Sequence, residues 1–218
     1  MTNELLKRII TSLILLPILF YAMFYSGIYL ISLLVLFYAL SIYEIIKNTK
    51  NILFIFFSSL ILLFSFYSFY FLRGETESSL IILFWILIST FLSDIGGYIF
   101  GKIFKGKKLT KISPNKTYSG AVGSIVFSFQ SLYIVNLLQI FFFNKQLINF
   151  FDTNFLIITI FISLICQAGD IFVSFLKRKI NIKDISNILP GHGGILDRID
   201  GLIFVLIFCF TLKLFEIF

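Results

Sequence analysis

Charge is scarce in this chain. Only 13% of its 218 residues are Asp, Glu, Lys or Arg, where soluble domains carry about a quarter. With 59% hydrophobic residues, 30 of them Phe, and a mean hydropathy of +1.01, so few charges exclude a water-soluble domain. The bilayer must be the solvent. Cysteine and histidine are nearly absent. Cys166 and Cys209 both lie in apolar runs with neither disulfide nor metal-site spacing, and read as packing residues. His192 is the lone histidine. There is no low-complexity tail and no convincing internal repeat.

What is present is a series of apolar runs long enough to cross a membrane. Seven spans are expected, at roughly 9–25, 28–46, 52–72, 80–100, 120–143, 154–176 and 201–218. Lipid offers no hydrogen-bond partners, so each should be a helix. The fold class is therefore all-α, a polytopic integral membrane helix bundle. One membrane-embedded domain is expected, with N-terminal helices over 1–80 and the part that carries the polar loops over 81–218. The first run imitates a signal peptide, with Lys7 and Arg8 as its basic flank. No small-residue cleavage site follows, and it reads as a retained helix.

The basic residues set the expected orientation. With the N-terminus cytoplasmic, only Arg73, Lys145 and Lys213 of the 18 basic residues fall on the outer side. The positive-inside rule favours that arrangement. It also accounts for the net charge of +7, which therefore gives no reason to expect a nucleic-acid partner.

Two acids interrupt the spans. Asp94 in FLSDIGGYIFG and Asp170 in CQAGDIFVSFLKR each stand about six residues before the end of a span. At a rise of 1.5 Å per residue, that is roughly 10 Å inside the cytoplasmic face. An intramembrane acid is a functional candidate. The blander alternative is an Asp paired with a Lys or a hydroxyl to lock helices together. Gly96, Gly97, Ala168 and Gly169 permit the close helix approach that either reading needs.

The polar sequence falls in two cytoplasmic loops, 101–119 and 177–200. The first carries six lysines and no acid. Gly101 to Lys107 has the spacing of a P-loop start, but Lys108 replaces the Ser or Thr, and a membrane helix precedes it instead of a strand. The better reading is an anion site at Ser113, Lys116 and Thr117, just before the next helix. Lys105, Lys107 and Lys108 read as a topology signal that also attracts anionic headgroups.

The segment 174–200 holds eight charged residues and His192. Pro190, Gly191, Gly193 and Gly194 break any helix and let backbone N–H groups face a ligand. Asp197 and Asp200 then fall three apart at the start of the last span and share a helix face. With Asp170 nearby, they suit a hard divalent cation held through oxygen. His192 is assigned to phosphate or loop positioning, because a phosphate monoester needs no base to become a nucleophile at neutral pH.

The run Ser174, Lys177, Arg178, Lys183, Asp184, Ser186, Leu189, Pro190, His192, Gly193, Gly194, Asp197, Arg198, Asp200 resembles the signature of the phosphatidate cytidylyltransferase family, also called CDP-diacylglycerol synthases. Two further segments resemble the same family in order: Asp94 to Tyr98 with Gly101 and Lys102, and Ile112 to Thr117 with Gly120. Gly97 stands where the family usually has Ala, and Gly201 where it often has Ser. The N-terminal part is shorter than in many members, so one or two spans are expected to be missing.

The resemblance implies transfer of a cytidylyl group from CTP to phosphatidate, giving CDP-diacylglycerol and pyrophosphate. It implies Mg²⁺, with K⁺ able to share the site. Asp170 and Asp197 would be the principal metal ligands, supported by Asp200 and Asp94. Asp184 belongs to the same catalytic set. Lys116, Lys177, Arg178, Lys183 and Arg198 would hold phosphates, with Thr117, Gly193 and Gly194 on the phosphate-binding side. Ser113 and His192 would donate hydrogen bonds. The partners would be CTP, phosphatidate and the lipid bilayer, and a homodimer is compatible. The expected location is a bacterial inner membrane, active site facing the cytoplasm. Two alternatives stand beside this one: a CTP-dependent polyprenol or phytol kinase, and an ion-coupled transporter using Asp94 and Asp170.

Overall fold

The computed structural model describes residues 2–110, 113, 115–180, 182, 185–186, 188, 190–191 and 193–218, with side chains from residue 6 onward. Among these residues there are eight helices: α1 (Thr2–Tyr25), α2 (Gly27–Asn48), α3 (Ile52–Arg73), α4 (Glu77–Phe104), α5 (Tyr118–Ser128), α6 (Gln130–Phe143), α7 (Thr153–Lys179) and α8 (Leu196–Leu214). No strand occurs among them, and Lys108 and Thr117 form an isolated bridge. The all-α expectation holds.

Six helical segments are long and apolar enough to cross a membrane, with α5 and α6 together forming one of them. Two expectations change. The span expected at 120–143 is not one helix: it breaks at Phe129. Ser128 Oγ donates to Ile125 O at 2.7 Å, and Ser131 Oγ to Ser128 O at 2.6 Å. Hydroxyls bonded back to the preceding turn bend a helix. The seventh expected span, α8, has 19 residues, about 28 Å at 1.5 Å each. It carries Asp197, Arg198, Asp200 and Lys213, so it reaches the length of a span without being apolar throughout.

The helices run up and down between two ends. At one end, α1 meets the last loop through Arg8 Nε to Gly191 O (2.8 Å), and α2 meets it through Asn48 Nδ2 to Ile185 O (2.6 Å). At the other, Arg73 of α3 binds Met23 O and Phe24 O at the end of α1, and Lys213 of α8 reaches Leu72 O at 3.4 Å. The loops 105–117 and 180–195 therefore share one end of the bundle.

α4 is the central element. Its residues Leu80 to Leu87 are all buried, and it packs against α3, α5, α6, α7 and α8. Hydroxyls and the indole supply the polar contacts between helices: Trp85 to Thr159 at 3.2 Å, Ser89 to Ser131 at 2.7 Å, and Ser93 to Ser163 at 2.9 Å. The outward faces are apolar. Leu13, Val35, Phe57 and Leu63 are each more than half exposed. Such a continuous apolar exterior suits lipid and would be unsustainable in water.

Glycines set how closely α4 and α5 approach. A methyl group on Gly96 would collide with Gly123 O and the Phe127 side chain, and one on Gly97 would stand 2.6 Å from Ser124 Oγ. Gly96→Ala is accordingly expected to lower stability by about 1–3 kcal/mol. The lipid-facing Val122→Ala should change it little. Thermal unfolding in detergent followed by circular dichroism would show a lower Tm for the first variant only.

Candidate active site

A cavity of about 540 Å³ opens at the end of the bundle shared by the two loops. Asp94 reaches it from α4, Lys116 and Thr117 from the first loop, Asp170 from α7, and Asp197, Arg198 and Asp200 from α8. Residues more than 100 positions apart thus converge as expected, and the two intramembrane acids do lie at one depth. Carboxyl oxygens of Asp94 and Asp170 and the Cys166 sulfur all fall within 4.8 Å of one another. Asp200 lines the same cavity as Asp170.

Two lysines and a thiol meet the acids. Lys116 Nζ stands 2.8 Å from Asp170 Oδ2 and 3.4 Å from Gln167 O. Lys177 Nζ stands 2.9 Å from Asp197 Oδ1 and 3.9 Å from Asp200 Oδ2. The other Asp197 oxygen accepts the Ile185 N–H at 2.9 Å. Cys166 Sγ donates to Asp94 Oδ1 at 3.4 Å. The Lys177–Asp197 pair is 13% and 15% exposed and the Lys116–Asp170 pair 26% and 19%. The second pair is thus the more open to an incoming ligand. The first ties α7 to α8.

Local backbone chemistry explains this placement. Thr117 caps α5, its hydroxyl accepting the Gly120 N–H at 3.1 Å, and this puts Lys116 immediately before the helix. Gly169 and Gly201 let α7 and α8 touch. A methyl on Gly201 would stand 2.6 Å from both Asp170 Oδ1 and Cys166 Sγ. Asp197 and Asp200 share a face at the start of α8, as their spacing predicts.

Several expectations shift. Thr117 lines the cavity, and its hydroxyl itself accepts one of the α5 N-terminal N–H groups, that of Gly120. Ser113 shapes the loop, its N–H donating to Thr110 Oγ1 at 3.1 Å, and does not line the cavity. Arg178 is exposed and donates to Ile182 O at 3.1 Å, away from the cavity. Cys166 is more than packing, since its thiol sits in the carboxyl cluster; Cys209 is simply buried. Gly194 lies against Asp197, and Gly193 adopts φ +90°, a left-handed conformation suited to glycine. Lys183, Asp184 and His192 lie outside the described residues.

Sequence reasoning gave no role to Glu44 on α2. It is fully buried and accepts hydrogen bonds from Ser186, Ile195 and Leu196. Its only sequence signal was an acid in an otherwise apolar run. A second cavity, about 260 Å³, lies across Lys177 between α2, α3, α7 and α8. Among the described residues it is lined by apolar groups such as Phe54, Phe57, Phe172 and Phe204 and no acid, whereas the described acids line the first cavity.

The carboxyl cluster with its flanking lysines can hold a hard cation and neutralise phosphates, and the chain as a whole is similar to known proteins. Residues 47–215 match the sequence model of the cytidylyltransferase family. Proteins named phosphatidate cytidylyltransferase are similar to this chain. That of Rickettsia conorii is 41% identical over 126 residues, covering 56% of this chain and 53% of the relative. That of Rickettsia felis is 47% identical over 109 residues (48% and 46%), and that of Bacillus subtilis 40% over 135 (61% and 48%). The matched parts span about half the length of these relatives. The family match covers most of this chain, and the chain belongs to the cytidylyltransferase family.

Proposed function

We propose that this protein transfers the cytidylyl group of CTP to phosphatidate, releasing pyrophosphate and forming CDP-diacylglycerol. One observation carries the reading: Lys116 and Asp170 meet 2.8 Å apart in a cavity that also receives Asp94, Asp197, Arg198 and Asp200, in a bundle whose outer surface suits lipid. The names of the relatives support the same substrates.

In this reading a phosphate oxygen of phosphatidate attacks the α-phosphorus of CTP. The bond from that phosphorus to the bridging oxygen breaks, and pyrophosphate leaves with the electron pair. Two polyanions must meet, so positioning and charge neutralisation dominate over covalent catalysis. Lys116 and Arg198 supply positive charge from different walls. Lys177 keeps Asp197 and Asp200 oriented from behind.

The donor set fits a divalent cation such as Mg²⁺. Asp94, Asp170 and Asp200 offer hard oxygens close together, and Asp197 would join them on loosening from Lys177. The cation would polarise phosphate oxygens and draw charge off the leaving group. Cys166 is the one soft donor and does not favour Mg²⁺.

We also place the cavity on the cytoplasmic face of a bacterial inner membrane, with the N-terminus inside. The clustering of basic residues at that end supports this. In intact spheroplasts, a membrane-impermeant maleimide should label Lys145→Cys and leave Lys105→Cys unlabelled until lysis. The reverse pattern would invert the topology.

Purified protein given phosphatidate, Mg²⁺ and CTP labelled at the α-phosphate should pass label to lipid. Label entering lipid only from the γ-phosphate would mean a lipid kinase instead. Asp170→Asn is expected to lower turnover on the order of 10³-fold, and Lys116→Met about 100-fold, with the protein still folded. Lys177→Met should also cost about 3–5 kcal/mol of stability, because it strands Asp197. Near-normal turnover in Asp170→Asn would remove that residue from the site.

A further inference from the structure

We infer that Glu44 is a positioning residue: its carboxyl group fixes the start of α8 and so sets where Asp197, Arg198 and Asp200 enter the cavity. The catalytic consequence rests on the enzymatic reading above.

The first N–H groups of any helix lack partners within it. At α8 the N-cap is Ile195, which has no side chain able to serve. Glu44 serves from another helix. Its Oε1 accepts the Ile195 N–H at 2.9 Å and also the Ser186 hydroxyl, and its Oε2 accepts the Leu196 N–H at 3.1 Å. The next residue is Asp197. Gly194 packs so closely that a methyl there would stand 3.2 Å from Glu44 Oε1 and 3.0 Å from Asp197 Oδ2.

The contacts form a closed ring. One turn beyond Glu44, Asn48 Nδ2 donates to Glu44 O at 2.7 Å and to Ile185 O at 2.6 Å. Ile185 N–H donates in turn to Asp197 Oδ2 at 2.9 Å. Two residues of α2 thus hold both sides of the last loop and, through them, one face of Asp197. Ile45, Leu62, Leu196 and Ile203 form the apolar cluster around this ring. Without Glu44 they offer the freed N–H groups no acceptor.

A glutamine has nearly the same size but only one acceptor oxygen, and its NH₂ would face a backbone N–H. Glu44→Gln should therefore loosen the start of α8 while leaving distant packing intact. The test combines hydrogen–deuterium exchange with kinetics on detergent-solubilised protein. In Glu44→Gln, exchange should quicken in peptides covering 185–200 and stay unchanged in α4 and α5. The kcat should fall roughly 10–100-fold, as when a group that orients a catalytic ligand is removed. Glu44→Asp, which keeps two acceptors, should recover part of that loss. Wild-type exchange and kcat in Glu44→Gln would overturn the inference. So would faster exchange throughout the bundle, which would mark a general folding role. If the wild-type protein itself makes no cytidylyl lipid, the enzymatic reading fails, and the exchange comparison still decides whether Glu44 anchors α8.

Discussion

An acid placed among apolar helices has to be met by a cation or a donor, and the cavity end of this bundle is organised by that demand. Leaving a buried charge unpaired costs about 3–5 kcal/mol, which bears most on the fully buried Glu44 and less on Asp170 and Asp197, which are partly exposed, and on the exposed Asp94. Asp170 is met by Lys116, Asp197 by Lys177 and a backbone N–H, Asp94 by a thiol, and Glu44 by the start of α8. Every one of these partners comes from a different element than the acid it meets. The electrostatic requirement therefore determines which helices must be neighbours. The same contacts that keep acids tolerable also aim them at one cavity.

Close packing makes those contacts reachable. Gly96, Gly97, Gly120 and Gly123 bring α4 and α5 together, which places Lys116 at the mouth of the cavity beside α7. Gly169 and Gly201 do the same for α7 and α8. Gly201 matters in particular because its missing side chain leaves the space that Asp170 Oδ1 and Cys166 Sγ fill. A serine there would have to displace one of them. The glycine and the cysteine are thus complementary, and the thiol reaches Asp94 because α8 leaves it room.

Much of this was legible in the sequence. Apolar run length gave the helices, and the positions of Asp94 and Asp170 near the ends of two runs gave a shared depth. The spacing of Asp197 and Asp200 gave a common face, and Lys116 stood out just before a helix. Other features were not legible, for physical reasons. Helices that are apolar on every side carry no periodicity to say which face meets which neighbour, so the pairing of Glu44 with Leu196, 152 positions away, left no pattern. The break at Phe129 arises from two serine hydroxyls folding back on the backbone, and serine is common in unbroken membrane helices. Cys166 reads as packing until Gly201 is seen opposite it. Lys177 reads as a phosphate ligand until it is found pairing Asp197 and Asp200.

The formal charges of the cavity carry the argument one step further. Among the described residues, Asp94, Asp170, Asp197 and Asp200 stand against Lys116, Lys177 and Arg198. The protein's own groups nearly balance, and both lysines are already committed to acids. On the proposed function, a nucleoside triphosphate and a phosphate monoester, the latter carrying about −1.5 to −2 near neutral pH, would bring more negative charge than those three described cations offset. In the proposed reading, further positive charge would come with a cation held by the carboxyl oxygens of Asp94 and Asp170, which lie close together. Lys116 would then be released from Asp170 toward phosphate. On this view the resting ion pair and the proposed catalytic arrangement are alternative partnerships of the same residues.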